Sequence, residues 1–214
     1  MSNGLNPTKA LIFRITHRDN VPWIMDNGIH SRASSVIDPN FVEIGNPDLI
    51  SKRRSREVPT PTGGSLSEYV PFYFTPHSPM IYNITTGFHG ITKRRNEEIV
   101  ILASSLRKME ELGIAFVFAD RHAYSQAANF SSDTGDLDNI DWGILQARNF
   151  RNDPDNPERK EKYQAEALIH RHVPNQALLG IIRYDSDAKN ELTAVAAKRG
   201  LDLKIEQRPN WYFR

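Results

Sequence analysis

Apolar and polar positions along the chain follow neither one helical period nor one strand period. Residues 10–17 (ALIFRITH) combine β-branched and aromatic side chains with partial alternation, a strand pattern that sets Arg14 among apolar neighbours. A short helix follows: Asp19 or Asn20 caps it, Pro22 suits its first turn and Gly28 ends it. From 31 to 64, Pro, Gly, Ser and Asn recur with little periodicity. A stretch that long without strong elements is the mark of a functional loop. Residues 69–76 (YVPFYFTP) read as an aromatic strand and 97–105 (EEIVILASS) as a central one, because the apolar run is continuous. RKMEELG is a short helix ending at Gly113, and 114–120 (IAFVFAD) is another buried strand. DWGILQA begins a helix, and RNDPDNPERKEK is a polar loop broken by prolines. ALLGIIRYD is strand-like, DAKNELTAVAAKRG a helix closed by Gly200, and LDLKIEQRPNWYF a final strand. Strands and helices mix without a regular βαβ repeat or any internal repeat, which predicts an α+β fold.

One stretch conflicts with its own pattern. Residues 162–174 (KYQAEALIHRHVP) suit an amphipathic helix or a strand, with Ala165, Ala167, Leu168 and Ile169 able to pack. Yet Glu166 stands between two alanines. A buried carboxylate is costly unless something compensates it. Glu166 therefore either lies on a solvated face or lines a cleft and works there.

The length of 214 residues suits one domain, and 39% hydrophobic with 25% charged residues makes it globular rather than disordered. The sequence shows no apolar run fit to span a bilayer and no basic-then-apolar leader, so the expectation is a soluble, cytoplasmic protein. Zero cysteines exclude disulfides, thiolate nucleophiles and Cys-ligated zinc. The net charge is only +1, so binding to a polyanion has to come from local clustering. Clusters exist: SKRRSR (51–56) and TKRR (92–95) are basic, and SSDTGDLDNID (131–141) is acidic. Each run taken alone reads as a solvated face. Two basic runs flanking an aromatic strand combine the phosphate contacts and stacking surfaces of a nucleic-acid site.

No Walker motif, GxGxxG or HExxH occurs, and the HRH at 170–172 has poor spacing for a helical metal site, so no metal is expected. His17 and His122 end strands, Arg54 sits in the long loop and Tyr73 lies in an apolar strand. Taken singly, each has an ordinary structural explanation.

Taken together, several segments resemble a known family. LIFRITHRDNVPWIMDNGI, GGSLSEYVPFYFTPHSPM, EEIVILASS with FVFADRHAY, DWGILQARNFRNDPDNPERKEKYQAEALIHRHVP and the terminal NWYF run in the order seen in the DarT family. These are DNA ADP-ribosyltransferase toxins of bacterial toxin–antitoxin pairs. The resemblance covers nearly the whole chain as a single domain. It implies an ADP-ribosyltransferase fold, in which two facing β-sheets grip NAD, and transfer of ADP-ribose from NAD to a base of single-stranded DNA. The target is thymine or guanine, and the resemblance leaves both open. Glu166 matches the family's catalytic glutamate, on a strand edge facing the cleft. Breaking the nicotinamide–ribose bond develops positive charge on the ribose, which a fixed carboxylate stabilises in the transition state. The same carboxylate helps remove the proton of the attacking base nitrogen. Arg54 matches the catalytic arginine, with Arg53 as the alternative, and its guanidinium would also hold NAD. Arg14, Thr16, His17, Asn20, Gly28 and Tyr73 fall with the NAD-binding residues. His77, His122, Arg148, Arg151 and Lys160 fall with those that meet DNA. A monomer is implied, with a macrodomain-type antitoxin as partner. Two rival readings stand beside this one: a module that binds single-stranded nucleic acid without chemistry, and a transferase acting on protein or RNA.

Overall fold

A computed structural model describes residues 4–60, 62–201 and 203–213. The first half carries β1 (Leu11–His17), α1 (Val21–Asn27), β2 (Ile29–His30), α2 (Pro47–Arg53), β3 (Tyr69–Tyr73), α3 (Pro79–Thr86), β4 (Ile99–Ser105) and α4 (Leu106–Glu111). The second carries β5 (Phe116–Ala119), β6 (Phe130–Ser131), α5 (Trp142–Ala147), α6 (Arg159–Lys162), β7 (Glu166–His170), β8 (His172–Val173), β9 (Gly180–Arg183), α7 (Asp187–Lys198) and β10 (Lys204–Gln207). Eight strands form a mixed sheet in the order β10-β9-β4-β1-β3-β7-β5-β6, and β2 and β8 form a separate ribbon. Of these pairings only β9 with β10 is parallel. The fold is α+β, as the mixed pattern predicts.

The sheet is nearly two sheets. β1 pairs with β4 along all its residues from Leu11 to His17, and β3 pairs with β7 from Tyr69 to Tyr73. Between β1 and β3 the register holds one pair, Phe13 with Tyr73. Beyond it the strands part, and Arg14 Nη1 reaches across to donate to the Pro71 carbonyl at 2.9 Å. The expectation of two gripping sheets is met by one sheet splayed at this seam.

Alternation sorts the side chains onto two faces. On one, Ile12, Val70, Phe72, Val100, Leu102, Ala167 and Ile169 are buried with Ile24 and Met25 of α1, Met109 of α4 and Leu145 of α5. The other face carries two separate clusters. Phe13, Ile15, Ile101 and Ile182 pack with Ile81 and Ile84 of α3. Tyr69, Val117, Ala119 and Leu168 pack with Val58 and Leu66. Glu166 shares this face with Leu168, and Tyr73 stands directly across from it in register. The sequence 162–174 thus resolves as a strand whose alternation turns one carboxylate away from the main core.

Three elements depart from the sequence pattern. α2 lies within the long loop, α3 lies beyond the aromatic strand in a stretch to which the pattern assigns no element, and α6 lies within the polar loop. α2 has no buried residue; the Asn46 side chain caps it by accepting from Asp48 and Leu49 N–H, and Pro47 fills its first turn. A helix with no apolar face leaves no periodic signal. α3 starts on the Ser78 cap and stops at Gly87 in the left-handed conformation. Asn20 does stand at the N-cap of α1 without capping it. Its amide instead donates to Thr16 Oγ1 and the Val42 carbonyl, each at 3.0 Å, and its Oδ1 accepts from Val42 N–H. The long loop is thereby pinned to β1. Gly28 closes α1 at φ 75°, where a Cβ would meet the Val173 carbonyl oxygen at 2.4 Å.

Candidate active site

The cleft forms where β1 and β3 part, between the two clusters of the open face. Its volume is about 360 Å³, within the range of small-molecule sites. β1 contributes Arg14 and Thr16, β3 contributes Tyr73, β7 contributes Glu166, and the loop and α2 contribute Arg32 and Arg53.

Glu166 is only 2% exposed, and both its oxygens are engaged. Arg53 Nη1 donates to Oε2 at 2.9 Å and to Oε1 at 3.2 Å. The Ala123 backbone N–H donates to Oε1 at 3.1 Å, and His122 Nε2 lies 3.9 Å from the same atom. The carboxylate is therefore buried but compensated by one guanidinium and one amide, which answers why a charge can sit between two alanines. Across the register, burial first and Glu166 second push the Tyr73 phenol well above its usual range, so its hydroxyl stays protonated at neutral pH.

The cleft is rich in positive charge. Burial, together with Arg32 and then Arg53, brings Arg14 down to about 10, which leaves it a cation at pH 7. Arg32 is lowered by burial and by Arg54; it pairs with Glu43 and lies over the Phe41 ring. Arg53 Nη2 is buried with no hydrogen-bond partner among the described residues. Guanidiniums that depress one another are relieved by a polyanion such as a diphosphate.

The candidates named from sequence divide. Arg14, Thr16, Arg54, Tyr73, His122 and Glu166 line the cleft. Arg54, expected in the catalytic role, is the exposed C-cap of α2, and the side chain that reaches Glu166 is Arg53, one residue earlier and 12% exposed. The reason is helical phase: consecutive residues at a helix end point about 100° apart. His17, Asn20 and Gly28 do not line the cleft. His17 Nδ1 accepts from Asp19 N–H at 3.3 Å and its Nε2 lies 3.7 Å from Glu98, so it stabilises the end of β1. Asn20 holds Val42, whose neighbours Phe41 and Glu43 line the cleft, and Gly28 precedes Ile29, which does too. His77 and Arg148 lie together and do not line the cleft: the His77 ring meets that of Phe213 at 4.0 Å, tilted by 40°, and burial followed by Arg148 lowers its pKa. Arg151 and Lys160 are exposed. Sequence reasoning missed Arg32 and the Ala123 amide. Arg32 sits in a loop with no local pattern, and a backbone N–H carries no residue signal at all.

The family profile described as "ssDNA thymidine ADP-ribosyltransferase, DarT" matches residues 13–213. The chain belongs to the DarT family. A DNA ADP-ribosyl transferase of Escherichia coli O127:H6 (strain E2348/69 / EPEC) is 52% identical over 212 residues, covering 99% of this chain and 97% of that protein. The structure of Thermus sp. 2.9 DarT in complex with ADP-ribosylated ssDNA superposes with a TM-score of 0.88 at 30% identity, over 97% of this chain and 98% of that one. The same Thermus protein in complex with NAD+ gives 0.83 over 96% and 98%. A Thermosipho africanus DNA ADP-ribosyl transferase–DNA ADP-ribosyl glycohydrolase fusion protein is 24% identical over 203 residues, 94% of this chain and 49% of the fusion. This DarT-family chain is a single-stranded DNA ADP-ribosyltransferase with the ADP-ribosyltransferase fold. Among its described residues no helix is long and apolar enough to cross a membrane.

Proposed function

We propose that this chain is a toxin that ADP-ribosylates thymine in single-stranded DNA, with Glu166 and Arg53 at the reacting centre. The observation that carries the assignment is the Arg53–Glu166 contact, 2.9 Å long and buried at the floor of a cleft walled by Arg14 and Arg32. Thymine rather than guanine is supported by the description of the matching family.

Arg14 and Arg32 hold the NAD diphosphate, the one part of that molecule whose charge opposes theirs. Tyr73, protonated and half-buried, offers its ring to the nicotinamide side. Arg53 holds the Glu166 carboxylate in a fixed direction. The bond from ribose C1′ to the nicotinamide nitrogen breaks, and neutral nicotinamide leaves. Positive charge grows on the ribose and Glu166, the buried one of the carboxylates that line the cleft, stabilises it. The thymine N–H is an imide; its proton passes to the Glu166 carboxylate as the new C1′–N bond forms. His122, 3.9 Å from Glu166, stands where the entering base meets the carboxylate. The expected DNA contacts of His77, Arg148, Arg151 and Lys160 belong to this proposal as an outer rim.

The adduct blocks copying of the strand that carries it, which makes the enzyme toxic to its own cell. A bacterial cytoplasm, where NAD and single-stranded DNA meet, is the proposed location. The fusion of a transferase to a DNA ADP-ribosyl glycohydrolase in a relative supports a macrodomain-type antitoxin that removes the adduct. A monomer is the proposed working unit.

The test is mass spectrometry of short oligonucleotides incubated with NAD, each containing thymine or guanine as the only candidate base. One ADP-ribose is expected on the thymine oligonucleotide. Gain on guanine alone would overturn the base assignment, and gain on neither would overturn the reading as a DNA transferase.

A further inference from the structure

The cleft does not account for an aromatic surface beside it. Tyr82 on α3 is 39% exposed and Phe88, just beyond the helix, is 49% exposed. Their ring centroids lie 6.4 Å apart, and Tyr82 meets Phe213 at 5.6 Å. Phe213 in turn contacts His77 at 4.0 Å. These rings are held, not loose. α3 is capped at both ends by Ser78 and Gly87, and Asn96 Nδ2 donates to the Phe213 carbonyl at 2.8 Å. The Arg94 N–H donates to the Ile84 carbonyl, which fastens the basic run 92–95 against the same helix. Lys93 is exposed, and the Arg95 side chain is 78% exposed.

Two connections lead from this surface to the reacting centre. Met80, two residues before Tyr82 on α3, lines the cleft. Tyr163, three residues before Glu166, donates its hydroxyl to the His77 carbonyl at 2.9 Å. Rigid aromatic rings beside exposed cations, continuous with a cleft that takes a nucleobase, have the chemistry of a single-strand track: each base offers a π-face and each linkage a negative charge. A hydrophobic protein partner would have to desolvate Lys93 and Arg95, the latter 3.9 Å from Glu98.

We propose that Tyr82 and Phe88, flanked by Lys93 and Arg95, form a second DNA subsite that stacks a base flanking the target; this rests on the reading of the cleft as a DNA transferase site. The subsite adds affinity for the strand and takes no part in bond breaking.

The test is an abasic scan. Oligonucleotides with a single target base are prepared with each flanking nucleotide in turn replaced by an abasic one, and KM and kcat are measured for the parent protein and for the variant carrying Tyr82→Ala and Phe88→Ala. At one flanking position the parent should lose affinity, KM rising roughly fivefold to a hundredfold at unchanged kcat, the range that base–aromatic stacking gives. The double variant should show the same rise with the intact strand and no further rise at that position, and Tyr82→Phe should restore the parent's behaviour. The NAD-induced melting shift of the variant should equal the parent's, which excludes misfolding as the cause. Equal abasic sensitivity in parent and variant overturns the subsite while leaving the transferase reading intact. Failure of the parent to modify any strand overturns both.

Discussion

At the scale of single residues, the choice between Arg53 and Arg54 decides the chemistry. Both are arginines in one basic run, and sequence spacing cannot rank them because the helix that sets their phase has no apolar face. The structure gives them different work: Arg53 compensates a buried carboxylate, while Arg54 is exposed. Removing one partner of a buried ion pair leaves an unpaired charge, at a cost of about 3–5 kcal/mol. Arg53→Ala should therefore abolish DNA modification and lower stability by that order, measured by urea unfolding. Arg54→Ala should stay within about 0.5 kcal/mol of the parent, as exposed substitutions do. The reverse pattern would return the role to Arg54. Glu166 was legible in the sequence because a charge in an apolar alternation is a local conflict. Its partners were not, because Arg53 lies 113 positions away and Ala123 acts through its backbone.

At the scale of elements, the longer strands were legible, and the helices α2, α3 and α6 were not. β1, β3, β4, β5 and β9 all fall within apolar runs, since burial on both faces writes itself as hydrophobicity. α1 and α7 were readable from their Pro and Gly punctuation. The β2–β8 ribbon left no signal, being two pairs long. It nevertheless forms a wall of the cleft through Ile29 and His30. Gly28 precedes it at φ 75°, with the Val173 carbonyl where a side chain would go. Gly28→Ala should destabilise by more than about 1 kcal/mol and weaken NAD binding, read by chemical unfolding and by calorimetry.

The ribbon is also sensitive to pH. His30 and His172 stack at 4.2 Å, and burial followed by the His172 neighbour lowers the pKa of His30. The folded chain therefore takes up this proton at lower pH than the unfolded chain, whose histidines titrate near 6.5. Below that value the unfolded state binds more protons, so stability present at pH 7 is lost as pH falls toward the lowered folded value. His77 and His170 are shifted in the same direction, each by burial first. The melting temperature should fall between pH 7 and pH 5, and His30→Gln should flatten part of that slope. A flat profile in the parent would contradict the assignment.

At the scale of the whole molecule, near-neutrality and DNA binding are reconciled by placement. A net charge of +1 gives no long-range attraction, yet Arg14, Arg32, Arg53 and Arg54 gather at one cleft. Binding should then be governed by local phosphate contacts, and affinity should fall as salt rises. The floor of the cleft lies below the surface, so a base has to leave its stack to reach Glu166. Extrusion from a duplex costs a few kcal/mol. A single strand should be modified on the order of a hundredfold faster than the same strand annealed to its complement, in a time course at fixed low salt. Equal rates would mean that the cleft does not require a free base.

The central claim is that the buried carboxylate of Glu166 performs the transfer in this cleft. The most direct measurement compares the parent with Glu166→Gln, which keeps the shape and removes the charge, by following mass gain on a thymine-containing single strand with saturating NAD. Glu166→Gln should fold, keep a melting shift with NAD, and lose at least about a thousandfold in rate, the scale at which a single electrostatic group at a reacting centre acts. Modification by Glu166→Gln at the parent's rate would contradict the claim.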